Sequence, residues 1–462
     1  MTTTNGAAAR AATVRGHPLV GVLPELVRDG PGLCVRAMRA NPRSVARLRV
    51  GPASIYMVHH PDHVQHVLVE NNRNYWKGRA FNRASFVFGR GLVLNEGESW
   101  LHQRRLISPA FSHARVAGLV PIMADVVRRR ADAWDAAARA GQPVEMVREM
   151  MTITLEIIAR TMFSLGVTDD DVRRMAAAFH TILGHVSLRF ATFWLPDRIP
   201  LPGSAKARAA IGVLEEVVRR VVAERRASGE RPDDLLSMLL DARDAATGEG
   251  MGDRQLRDEV LTTLFGGYEA TADALAWTWH LLARHPEADA RFRAELDEVV
   301  AGDTPTAEEL GRLDYTRRLI MESMRVYPPF WWILRSARED DVVGGQRIPA
   351  GATVLVVSYA THRHPDFWKD PERFDPDRFL PESMAGRHRH AYIPFGTGQR
   401  ACVGRHLAML ETPLALAMFA KRFRPVPVAG REVVYRAEAS LRARDGVWMR
   451  LEPGGVRECV SA

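Results

Sequence analysis

Cysteine is almost missing from this chain of 462 residues, which holds only Cys34, Cys402 and Cys459. Three cysteines build no disulfide framework, and their spacing fits no zinc motif. Cys34 lies in an apolar stretch and Cys459 near the end. Neither belongs to a motif, and both read as incidental. Long apolar runs are missing too. No stretch reaches the roughly 18 residues of a membrane-spanning helix, so no transmembrane anchor is expected. The N-terminus has neither the apolar core nor the cleavage site of a secretory leader, which points to a cytoplasmic protein. Lysine occurs only at positions 77, 206, 369 and 421. The formal charge of +8, from 63 basic against 55 acidic residues, is therefore carried by arginines. They are interspersed with acids along helical stretches, which argues for solvated helix faces and against a nucleic-acid surface. No flavin or dinucleotide fingerprint, internal repeat or Ser/Gly-rich linker interrupts the chain. The expectation is a disordered tail over residues 1–16 and one domain over 17–462.

What is present is helical periodicity. Apolar residues recur at spacings of three and four over about 61–70, 98–106, 114–139, 145–164, 169–186, 204–228 and 232–243. Further helices are expected near 254–285, 286–301, 307–312 and 316–327, the last stopped by Pro328-Pro329. Val45–Val50 and Ile55–Val58 alternate around Gly51-Pro52 and read as a hairpin. Short strands are expected near 332–337, 346–348, 352–356, 433–436 and 447–451. The fold class is mainly α, with a minor β portion.

The densest chemistry lies in Phe395–Gly404, FGTGQRACVG. Cys402 follows a glycine-bearing loop and precedes a helical pattern, Leu407, Leu410, Leu414 and Met418. A cysteine at a helix N-terminus meets unsatisfied N–H groups and the positive end of the dipole, which favour thiolate. Gly396, Gly398 and Gly404 permit close approach of a flat partner and unusual backbone conformations. Arg400 can reach an anionic group. A thiolate with arginine and glycine around it is what a haem iron with propionates requires. The bland alternative is a buried free cysteine.

This stretch resembles the haem-thiolate loop of the cytochrome P450 family, and the resemblance spans roughly residues 17–452. It implies a helix-rich triangular prism with small β-sheets. It implies heme b with Cys402 as the iron ligand, flanked by Phe395, Gly396, Arg400 and Gly404. Trp100 and Arg104, one turn apart, match the family's propionate-binding pair. Arg335 matches a further propionate donor, with Arg338 competing. Glu322 and Arg325, at i and i+3, and Arg373 in PERF match a buried structural network. O2 is the implied oxidant. NAD(P)H supplies electrons indirectly, through a ferredoxin and ferredoxin reductase docking near Arg400, Arg405, Lys421 and Arg422. A monomer is expected.

The segment FGGYEATADAL resembles the family's oxygen-activation helix. Gly266, Gly267 and Glu269 match, and the two glycines would let the helix pass flat over a haem face. The usual alcohol position holds Ala270, and the hydroxyl comes one residue later, at Thr271. One residue is about 100° of helix rotation, so Thr271 cannot simply replace it. Glu269 and Thr271 are the catalytic candidates. Substrate contacts are expected from Phe81, Phe86, Phe88, Phe265, Gly266, Ala270, Phe330, Trp331, Trp332 and Leu441, for a mostly apolar or aromatic small molecule of secondary metabolism. Two other functions stay open: oxidative coupling or ring formation without oxygen insertion, and a haem-based gas sensor or carrier.

Overall fold

The computed structural model describes residues 12–78, 81, 85–192, 199, 201–244 and 247–454. Cys459 and residues 1–11 of the expected tail lie outside these. The helices are α1 (Leu23–Ala40), α2 (Pro61–Gln65), α3 (Ser85–Phe88), α4 (Gly97–Ile107), α5 (His113–Ala117), α6 (Val120–Arg139), α7 (Met146–Phe163), α8 (Asp169–Ala191), α9 (Ser204–Ser228), α10 (Leu235–Asp241), α11 (Asp253–Arg284), α12 (Pro286–Val299), α13 (Ala307–Arg312), α14 (Asp314–Val326), α15 (Ser358–Thr361), α16 (Pro381–Met384) and α17 (Arg405–Arg422). Two compact units share the chain. One takes residues 1–82, 324–402 and 436–441, the other 83–323, 403–435 and 442–462.

The first unit is built on a six-stranded sheet in the order β1-β2-β3-β9-β6-β4. Its strands are β1 (Ala12–Thr13), β2 (Ala46–Val50), β3 (Ala53–Val58), β4 (Tyr75–Trp76), β6 (Ile333–Ala337) and β9 (Thr353–Val356). The expected hairpin is β2 and β3, paired Leu48 to Ile55 and turned at Gly51, whose φ of +57° suits glycine. Tyr56, Val58, Leu68, Tyr75, Val354 and Val356 pack into one cluster. β7 (Asp341–Val343) and β8 (Gln346–Ile348) form a separate antiparallel pair. The sequence pattern foresaw no α1. Pro31 lies inside it and Asp29 leaves helical geometry, so two short helices meet across a kink that breaks the period.

The second unit is helical, with a three-stranded sheet in the order β10-β13-β5: β10 (Phe423–Pro427), β13 (Trp448–Pro453) and β5 (Val144–Glu145). β11 (Tyr435–Ala437) and β12 (Leu441–Ala443) complete the strands. The pattern over 114–139 is two helices, α5 and α6, broken at Gly118. Helices α7 and α11 pack most intimately. A Cβ on Gly267 would lie 2.8 Å from Cγ1 of Ile158, so glycine there is what lets the helices close. The Thr154 hydroxyl donates to the Tyr268 carbonyl at 2.9 Å across the same seam. Trp134 of α6 stacks on Phe419 of α17 at 4.3 Å.

Candidate active site

The two described cysteines have opposite environments. Cys34 is fully buried on α1, and burial, reinforced by nearby Asp29, pushes its thiol up to about 12. It is an inert thiol. Cys402 is exposed. Its N–H donates to the Phe395 carbonyl at 2.8 Å, closing the loop 395–402. Gly396 and Gly398 have φ of +68° and +72°, which side chains resist. A Cβ on Gly398 would come within 2.3 Å of the Leu68 carbonyl oxygen, so the loop can lie this close only as glycine. Gly404, read as a third special glycine, has an ordinary φ of −80° and caps α17. An exposed thiol on a loop shaped by two left-handed glycines fits a thiolate ligand to a flat metallocycle.

Helix α11 is buried almost throughout. From Asp258 to Leu282 the exceptions are Thr263, Phe265, Gly266, Gly267 and Ala270. Thr263, Gly266, Gly267 and Ala270 share one face at helical spacing. A Cβ on Gly266 would meet nothing within 4 Å. The two glycines differ in packing: Gly267 lies against Ile158 of α7, whereas a Cβ on Gly266 meets no protein atom. Thr271 is buried off the stripe. Glu269 is buried and ion-paired with Arg442 of β12. Sequence reasoning stopped at Leu441 and missed its neighbour Arg442.

Two more carboxylates on α11 grip the loop before α4. The Arg90 N–H donates to Asp258 at 2.8 Å and the Leu92 N–H to Glu259 at 2.9 Å. Gly89 and Gly91 leave no room for a Cβ against Asp258 and Thr262. Burial, and secondarily Asp258, pushes Glu259 up to about 8. The signal available in the sequence was a pair of adjacent acids on an otherwise apolar helix.

A cytochrome P450 sequence profile matches residues 12–443. Among curated relatives, the cyclooctat-9-en-7-ol 5-monooxygenase of Streptomyces melanosporofaciens is 36% identical over 84% of this chain and 83% of its own. Pentalenene oxygenase of Streptomyces avermitilis is 35% identical over 82% of this chain and 84% of its own. The chain belongs to the cytochrome P450 family. The crystal structure of the cytochrome P450DA heme domain superposes with a TM-score of 0.89 at 28% identity, covering 96% of this chain and 98% of that one. The mainly α fold with small sheets is thus the P450 fold. The family makes this chain an oxidoreductase, a monooxygenase using haem-thiolate iron and O2, with a small-molecule substrate and a redox partner. No described helix is long and apolar enough to cross a membrane.

The other P450 candidates fall out unevenly. Trp100 is buried and Arg104 half-buried one turn on along α4. Arg335 is buried on β6, while its competitor Arg338 is exposed and stacks on Trp76 at 4.5 Å. Arg400 and Phe395 are half-buried. Lys421 and Arg422 do not form a free docking patch. Lys421 donates to the Val300 and Gly302 carbonyls, and Arg422 pairs with Asp132 and Asp135.

Among the expected substrate contacts, Trp331 is a core residue. It is buried against Gly30, and its indole N–H donates to the Glu438 carbonyl at 3.0 Å. Trp332 is half-buried, 6.3 Å from Phe81. Phe330 is 40% exposed, and Leu441 is fully buried. In the second unit Phe88 packs on Phe265 at 4.6 Å, with Phe179 and Tyr268 beside them, and Phe86 packs on His185.

The structural network is corrected at one member. Glu322 and Arg325 are both fully buried. Arg325 donates to the carbonyls of His362, Pro371 and Arg373 at 3.1, 2.7 and 3.0 Å. Arg373 therefore takes part through its main chain, and its side chain is exposed. The second buried guanidinium is Arg363, which the sequence reading missed. It donates to the Val326 carbonyl at 2.7 Å and to Glu372 at 3.1 Å. It thus satisfies a carbonyl at the end of α14, where Pro328 and Pro329 prevent further helix.

Proposed function

We propose that this P450 inserts oxygen into a mostly apolar, terpene-like small molecule of specialised metabolism. The electrons come from NAD(P)H through a ferredoxin and its reductase. The observation that carries the chemistry is the contrast between the sealed Cys34 and the exposed, loop-presented Cys402. In this reading Cys402 holds the iron of heme b, and Trp100, Arg104, Arg335 and Arg400 hold the propionates. Bound there, haem supplies O2 activation, with thiolate donation favouring O–O cleavage.

The remaining roles belong to the chain's own residues. The open stripe of α11 offers a substrate and O2 a surface without side chains at Gly266 and only a methyl at Ala270. Glu269 carries protons inward. Its ion pair with Arg442 fixes the carboxylate between deliveries, and each delivery requires that pair to part. With no hydroxyl at position 270, ordered water or a substrate hydroxyl completes the relay. The half-buried aromatic faces of Phe265 and Phe86 suit an apolar skeleton, as do the names of the two Streptomyces relatives.

The test is a screen of terpene hydrocarbons and alcohols for a blue shift of the haem Soret band. Binders are then turned over with surrogate ferredoxin and reductase under labelled dioxygen. One labelled oxygen in the product is expected. An oxidised product without label assigns coupling or ring formation instead. Spectral binding with no turnover of any binder would favour the sensor reading.

A further inference from the structure

Histidines crowd one corner of the first unit. His59, His60, His63, His364, His388 and His390 form, with Phe367, a continuous run of ring contacts. His60 lies 5.1 Å from His364 and 5.2 Å from His63, centroid to centroid. His364 stacks on His59 at 5.9 Å, and Phe367 bridges His60 and His364 to His388. None of them is assigned to haem, and some serve the backbone, His59 Nε2 lying 3.1 Å from the Asn41 carbonyl.

One ligand atom each from His60, His364 and Asp366 lie within 4.8 Å of one another. A tetrahedral zinc ion holds nitrogen and oxygen ligands at about 2.0–2.2 Å, hence about 3.4 Å apart. Closing the gap takes a movement of about 1 Å from side chains with freedom to make it. The Asp366 side chain is 35% exposed and held only by Arg43, itself 81% exposed, at 3.2 Å. Such a surface pair is worth little and yields to a divalent ion.

The tautomer is already set at His364. Its Nε2 lies 2.7 Å from the Pro42 carbonyl, which can only accept, so Nε2 carries the proton and Nδ1 the lone pair. An imidazole whose other nitrogen donates to a backbone carbonyl is the usual outer support of a metal-bound histidine. The Nδ1 lone pair meets only the Asp366 N–H, at 3.2 Å. His60 caps α2 by accepting the Asp62 N–H on Nδ1 at 3.3 Å, so that nitrogen carries a lone pair.

We infer that His60, His364 and Asp366 form a site for a divalent transition ion of the zinc type, tying the start of α2 to the turn after α15, with a fourth position open to water. The test uses haem-loaded protein without a polyhistidine tag, zinc ion as the probe, and equilibrium dialysis read by elemental analysis. Wild type should hold one zinc beyond its iron and gain thermal stability from it. Asp366→Asn and His60→Ala should each weaken binding by more than the 10–100-fold, roughly, that loss of an outer partner causes. The carbon monoxide spectrum should be unchanged in both. Wild type that takes up no zinc, or variants that bind it as tightly, would overturn the site.

Discussion

At the residue scale, the two thiols make the sharpest contrast. Cys402→Ala should abolish the red-shifted Soret band of the reduced, CO-bound protein, while Cys34→Ala should keep it. The opposite pattern would reverse the ligand assignment. The Glu269–Arg442 pair yields a second prediction. Glu269→Gln removes the proton carrier, and Arg442→Ala frees it. Turnover should fall about 10²–10⁴-fold for the first, the usual worth of a positioned acid or base. It should fall less for the second, with a raised share of hydrogen peroxide per NAD(P)H consumed. Ala270→Thr should lower that share for poorly fitting substrates. If Thr271→Ala abolishes turnover while Glu269→Gln does not, the relay runs through the buried threonine instead. Cys402, Glu269 and Ala270 could be singled out as candidates because a linear motif picks them out. Arg442 could not, because its partner lies 173 residues away and no local pattern announces the pairing.

At the element scale, the long helices were legible from period alone, α9 to the residue, because amphipathic burial dictates their pattern. Helix α1 was not, because a kink at Asp29 and an internal Pro31 erase the period. Strands of two or three residues such as β4, β5 and β7 are too short to show alternation. The glycine pair in α11 looked like one feature and is two. Gly267→Ala should lower the urea midpoint of the holoenzyme, since overpacking against Ile158 typically costs about 1–3 kcal/mol. A methyl at Gly266 meets no protein atom within 4 Å and gains helix propensity of up to about 1 kcal/mol, so Gly266→Ala should lower the midpoint less than Gly267→Ala. Equal losses in both would refute the division. The loop grip carries a pH signature. Glu259 is raised to about 8 in the fold, from an ordinary value near 4.5. Between those values the folded state binds more protons than the unfolded, so stability falls as pH rises from about 4.5 to 8. Glu259→Gln should flatten that slope. An unchanged slope would mean the carboxyl titrates normally.

At the scale of the whole molecule, the excess of arginine is partly internal wiring. Arg325 bridges three carbonyls 37 to 48 residues away. Arg293 of α12 reaches the Ala420 and Phe423 carbonyls. Arg225, nearly buried, joins Asp234 to the Phe163 carbonyl. Composition alone could not separate these from solvated charges, because sequence shows how many arginines there are and not where their forks point. A guanidinium offers five donors in a fixed plane, and an ammonium three on a flexible stem. Lysine at 325 would keep the charge but could not span the carbonyls of His362, Pro371 and Arg373 at once. Buried acceptors left unmade cost about 1–3 kcal/mol each. Arg325→Lys should therefore destabilise by several kcal/mol and lower haem occupancy on purification. Arg43→Ala, at an exposed arginine, should stay within about 0.5 kcal/mol of wild type. Urea midpoints and the iron-to-protein ratio read both variants. Arg325→Lys protein with full haem and an unshifted midpoint would mean that charge alone holds this region. The three carbonyl bonds would then be incidental to it.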